Sequence, residues 1–167
     1  MIYKKEDFLL SLEGLAQGME NPLATLANTA ALIWQTFADI NWAGFYLLDR
    51  GALWLGPFQG KPACTPIALG KGVCGGAFVQ NQTIVVPDVH AFPGHIACDE
   101  ASRSEIVVPL HANGQVIGVL DIDSPLPSRF DENDRLLLEA AVKLLEDCCD
   151  FTRCGYTLHV ELKDEHA

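Results

Sequence analysis

The stretch GHIACDEASRSEIVVPL, Gly94 to Leu110, sets a cysteine in the middle of a polar loop. His90 and His95 precede Cys98, and Glu105 opens the apolar run behind it. Loop cysteines are reachable and react, whereas core cysteines pack and stay inert. Two further thiols stand near glycines. Cys64 follows GKPA at a strand entrance, and Cys74 sits in GKGVCGG at the mouth of a short helix, whose N-terminus would lower a thiol pKa. The stretch VIGVLDID, residues 116–123, adds carboxylates. Alternation puts Ile117, Val119, Asp121 and Asp123 on one face, so two carboxylates end a face that begins apolar. A strand that emerges into water there explains the pattern equally well. If the aspartates instead share a cleft, repulsion and partial burial raise at least one pKa, giving a proton donor or a paired cation site.

Glu105 is a third carboxylate whose face depends on register. A strict two-residue loop at Asn113-Gly114 pairs it with Ile122 and turns it away from the aspartates. A longer loop, a bulge, or a Glu105 just before the strand removes the conflict. Trp42 and Tyr46 share a strand face with Gly44 between them, an aromatic-walled recess suited to a small apolar group. Strand aromatics are more often plain core. A zinc site from His90, His95, Cys98 and another cysteine matches no common zinc spacing. GKGVCGG lacks the spacing of a phosphate-binding loop. Cys148 continues the stripe Leu137, Ala141, Leu144 of a last helix and reads as core, while Cys149 and Cys154 carry no assignment.

The elements that must hold these groups read as follows. Helices are expected over residues 3–18 and 22–38, the latter with Pro22 at its start and an apolar stripe Leu23, Leu26, Ala30, Ile33, Phe37. NWAGFYLL and ALWLGPFQ form a hairpin around DRG, CTPIAL a short strand, and residues after GKG a short helix. TIVVPDV is a strand, and residues 87–103 are a long polar loop of the kind that is usually functional. EIVVPL and VIGVLDID pair around Asn113-Gly114, and residues 131–149 form the last helix with Asp131 as N-cap. The order gives an α+β domain, a central antiparallel sheet with helices packed on one face. The 167 residues fit one domain, with 49% apolar content. The net charge of −11 argues against nucleic-acid and anionic-membrane partners. No apolar run approaches membrane-spanning length, and MIYKKEDFLL lacks the apolar core of a signal peptide, so a cytoplasmic setting is expected. In such a reducing setting the six cysteines are not a disulfide framework.

Together, LANTAAL, NWAGFYLL, LGPFQGKPAC, GKGVCG, HIACD, SEIVVPL and IGVLDIDS resemble the free methionine-(R)-sulfoxide reductases, small single-domain enzymes with a GAF fold. The resemblance runs from about Leu23 to Ala141, whereas IGVLDID alone would indicate only some GAF domain. It implies one GAF domain over residues 1–167, with residues 155–167 a tail outside the pattern. It implies that Cys98 is the catalytic cysteine, that Cys64 resolves the oxidised enzyme, and that Cys74 is a third thiol of auxiliary role. Glu105, Asp121 and Asp123 match the acidic substrate-binding cluster, and Trp42 and Tyr46 match the wall around the substrate methyl group.

The implied chemistry is thiol attack on a sulfoxide, with Glu105 or Asp123 supplying a proton, then a sulfenic acid and an intramolecular disulfide. Free methionine sulfoxide is the small-molecule substrate, a thioredoxin-type dithiol resets the enzyme, and no metal or organic cofactor is needed. A homodimer stays open as an assembly state. A non-catalytic GAF module that binds a small ligand and a thiol redox sensor are the competing readings. Signalling modules usually carry an output domain, for which this chain leaves no room, and the thiols beside a complete acidic cluster favour the enzyme.

Overall fold

The computed structural model describes residues 4–94 and 99–151. His95, Cys98, Cys154 and the tail 155–167 lie outside them. After a short 3-10 turn at Lys5–Asp7, the chain forms α1 (Phe8–Ala16) and α2 (Pro22–Thr36). Asn21 caps α2, its side chain accepting the Leu23 N–H, and Pro22 takes the first helical position, where no donor is needed. The hairpin β1 (Trp42–Asp49) and β2 (Ala52–Gly60) follows, then β3 (Ile67–Ala68), α3 (Gly72–Gln80) and β4 (Ile84–Val86). The long polar loop holds one further 3-10 turn, Val89–Ala91. A second hairpin, β5 (Ser104–Ala112) and β6 (Gln115–Ser124), leads to α4 (Glu132–Cys148). Asp131 and Asp134 form a reciprocal capping box at the start of α4. No helix among the described residues is long and apolar enough to cross a membrane.

The strands form one antiparallel sheet in the order β3-β2-β1-β6-β5-β4. The helices α1, α2 and α4 pack on one face, where Phe45, Ile106, Leu120 and Ile122 meet Phe8, Leu26, Ile33 and Leu138. The short inserted helix α3 covers the other face, with Val73 and Ala77 against Tyr46, Val107 and Val119. The site lies under α3. On α4 the buried stripe is Leu138, Ala141, Val142 and Leu145. That is one residue out of phase with the expected stripe, so Cys148 is exposed rather than core, and half-buried Cys149 packs on the core instead.

The β5–β6 hairpin settles the register. Its loop is Asn113-Gly114, with φ of 50° and 76°, as a tight hairpin turn of two left-handed residues requires. Ala112 pairs with Gln115 and His111 with Val116, but Leu110 pairs with Gly118. Ile117 is therefore an extra residue, a bulge. Beyond it every pairing is offset by one, so Glu105 lies opposite Asp123 and not Ile122. The bulge also breaks the expected alternation: Ile117 belongs to the core under α1, α2 and α4, whereas Val119 faces α3.

Candidate active site

Three strands build the site in registered rows. Glu105 on β5 faces Asp123 on β6, which faces Trp42 on β1. The next row on this face is Val107, Asp121 and Gly44, and the third is Pro109, Val119 and Tyr46. Glu105, Asp121 and Asp123 thus line one pocket with both aromatic rings, and the first turn of α3 adds Cys74 to its wall. The strand does not simply run out into water: Glu105 is 5% and Asp121 6% exposed. α3 can press this close because Gly75 lacks a side chain, since a Cβ there would come within 2.6 Å of the Ala68 carbonyl oxygen. Close packing, not phosphate binding, accounts for that glycine.

The aromatic wall differs from the recess expected at Gly44. A Cβ at Gly44 would lie 2.7 Å from the Trp42 ring and 2.4 Å from Phe58 Cβ, so that space is already filled. Trp42 stacks between Phe58 and Tyr46, with ring centroids 5.4 Å and 5.7 Å away. The polar ends of both rings also hold the loop that carries Cys64. Trp42 Nε1 donates to the Lys61 carbonyl and the Tyr46 hydroxyl to the Cys64 carbonyl, each at 3.0 Å. Cys64 itself is exposed.

Burial dominates the electrostatics. It pushes the Glu105 carboxyl well above its ordinary range, and the charges of Asp121 and Asp123 push it further. Burial and Asp121 raise Asp123 likewise, against a hydrogen bond from Ser102. Asp121 is raised by burial to about 6, tempered by hydrogen bonds with Cys74 and Glu105. Its Oδ1 is nevertheless buried with no hydrogen-bond partner. The Cys74 thiol, with Sγ 4.0 Å from Glu105 Oε1, goes up and not down. Burial and the carboxylates Asp121 and Glu105 outweigh the helix start, which corrects the activation expected from its place at the N-terminus of α3.

These shifts carry a stability consequence. A carboxyl whose pKa is raised on folding binds a proton more tightly folded than unfolded, so its stabilising contribution is present at low pH and lost as pH rises. For Asp121 the loss falls between its ordinary value of 3.8 and about 6. Two units correspond to about 3 kcal/mol. Asp121→Asn should therefore flatten the fall in denaturation free energy of the ligand-free protein between about pH 4 and about pH 7 by roughly that amount. Denaturant titrations at both ends of the range read it, and identical slopes for the two proteins would contradict it.

The structure also brings in groups that the sequence reading passed over. Lys61, Asp99 and Ser102 also line the pocket. Lys61 Nζ lies 3.1 Å from the Asp99 carboxylate. Asn41 Nδ2 donates to Asp99 Oδ2 at 3.2 Å and to Ser102 Oγ at 3.0 Å. The Ala101 N–H and Lys61 hold the Asp99 carboxyl below its ordinary value. Lys61 stands in GKPAC and Asp99 in HIACD, so the signal was their place beside the two loop cysteines. Among the described residues, the donor set that could close on a metal ion is Cys74, Glu105 and Asp121. The His90 ring instead contacts Asp88 Oδ1 at 3.1 Å, and the histidine-based zinc alternative involves His95 and Cys98, outside the described residues.

The GAF domain family model matches residues 21–148. A free methionine-R-sulfoxide reductase of Escherichia coli (strain K12) is 54% identical over 140 residues, covering 84% of this chain and 85% of its own length. A free methionine-R-sulfoxide reductase of Saccharomyces cerevisiae (strain ATCC 204508 / S288c) is 48% identical, covering 87% of this chain and 86% of its own length. The structure of the free methionine-R-sulfoxide reductase from Neisseria meningitidis, solved in complex with its substrate, superposes with a TM-score of 0.84 at 46% identity, covering 90% of this chain and 89% of that one. The chain belongs to the GAF domain family, and within it to the free methionine-R-sulfoxide reductases.

Proposed function

We propose that this protein reduces free methionine-(R)-sulfoxide to methionine. The observation that carries the reading is the Asp121 carboxylate, buried under α3 beside Glu105 and Asp123 with one oxygen unpartnered. Buried charges without a cation are costly, and the α-ammonium group of a free amino acid is a cation of the right size. With that group on Asp121, the substrate methyl is assigned to the part of the pocket lined by Trp42 and Tyr46. The sulfoxide lies between them, beside Glu105 and Asp123, whose carboxyls burial shifts upward toward the protonated form.

In the step we assign to Cys98, its thiolate attacks the sulfoxide sulfur and the oxygen accepts a proton from Glu105 or Asp123. Cleavage of the sulfur–oxygen bond leaves methionine, reduced by two electrons, and Cys98 as sulfenic acid, oxidised by two. The Cys64 thiol then displaces water from the sulfenic acid to form a disulfide. A thioredoxin-type dithiol returns both cysteines to thiols by exchange. The exposure of Cys64 supports that reading of the last step. Such a cycle needs a reducing compartment, which the cytoplasm supplies.

The test is turnover of free L-methionine-(R)-sulfoxide by the reduced protein with dithiothreitol, with methionine quantified chromatographically. Methionine should accumulate over many turnovers from this epimer. No methionine above the protein-free control would sink the proposal.

A further inference from the structure

Cys74 is a buried thiol that the reductive cycle above does not require. We propose that Cys74, Glu105 and Asp121 form an inhibitory binding site for a thiophilic divalent cation of the Zn2+ or Cd2+ class. One donor atom from each residue lies within 4.8 Å of the others, and Cys74 Sγ is 4.0 Å from Glu105 Oε1. A tetrahedral zinc ion, about 2.3 Å from sulfur and about 2.0 Å from oxygen, spaces such donors about 3.5 Å apart. Contraction of the set by roughly an ångström therefore closes it on an ion. The residues come from different elements, α3, β5 and β6, so an ion here ties the helix to the sheet.

A second observation points to a ligand independently of the thiol. Asp121 is 6% exposed and its Oδ1 has no hydrogen-bond partner, which leaves a buried acceptor unused on one member of the cluster. An ammonium group can use that oxygen but gains nothing from sulfur. A soft cation gains from both, and thiolate donors select for such metals over magnesium or calcium. The fourth position stays open for water. On binding, the protons of Cys74 and any protonated carboxyl pass to solvent, and no electrons move. The ion occupies the space that the α-ammonium group needs, so it excludes the amino acid and does not assist its reduction.

Titration of the reduced, full-length protein with Cd2+ alone tests this, read by the ultraviolet cadmium–thiolate absorption and by calorimetry. Other thiols bind cadmium too, so the readout is the difference between wild type, Cys74→Ser and Glu105→Gln. One tight equivalent is expected in wild type, weakened at least about tenfold in each variant. Superimposable curves for wild type and Cys74→Ser would overturn the site. So would a loss in Cys74→Ser that Glu105→Gln leaves untouched, since that result describes a lone thiol. Glu105→Gln preserves size and keeps the test open if the serine variant does not fold. The metal site does not depend on sulfoxide reduction, and metal-free turnover judges that activity separately.

Discussion

Cys98→Ser should release no methionine from methionine sulfoxide even in a single turnover, while Cys64→Ser should release about one equivalent per chain and then stall with a thioredoxin-type dithiol. The contrast follows from the assigned order of events: a nucleophile must act before a resolving thiol has anything to resolve. Cys74 cannot stand in for Cys98. It is buried, and Asp121 and Glu105 beside it hold its thiol protonated, whereas only a thiolate attacks. Cys64 is exposed, and its backbone is held by the Tyr46 hydroxyl and, three residues earlier, by the Trp42 indole. Rapid-quench measurement of methionine against enzyme concentration separates the two variants. Equal single-turnover yields from wild type and Cys98→Ser would contradict the assignment of the nucleophile.

Much of this site was legible in the sequence, for identifiable reasons. Strand alternation alone placed Asp121 and Asp123 together, because the pleat is a strict two-residue period. Glu105 was ambiguous, since its face depends on a single bulge at Ile117 that no propensity marks. Motif resemblance assigned it to the cluster, and the register agrees. The thiol of Cys74 was misjudged because helix position is written in the sequence, while the carboxylates that surround it come from β5 and β6. Cys148 was misjudged because adjacent apolar residues on α4 fit two stripes equally well, and only packing on the sheet chooses between them. Lys61 and Asp99 were passed over because their pairing joins loops 38 residues apart.

The acidic pocket makes its strongest demand on the choice of substrate. A free amino acid brings an ammonium group to the unpartnered Asp121 oxygen, while an N-acetylated or peptide-bound methionine brings a neutral amide there. The amide leaves the buried charge uncompensated, and an uncompensated buried charge costs about 3–5 kcal/mol. A loss of kcat/KM of at least about tenfold is therefore expected, each factor of ten being about 1.4 kcal/mol. The measurement is a side-by-side assay of free, N-acetylated and peptide-bound methionine-(R)-sulfoxide at fixed dithiothreitol, which reduces the enzyme equally in all three. A kcat/KM for the free amino acid at least about tenfold above both others is the expected result. Comparable kcat/KM values for all three would contradict recognition of the ammonium group by Asp121 and its neighbours, and with it the assignment of the free amino acid as substrate.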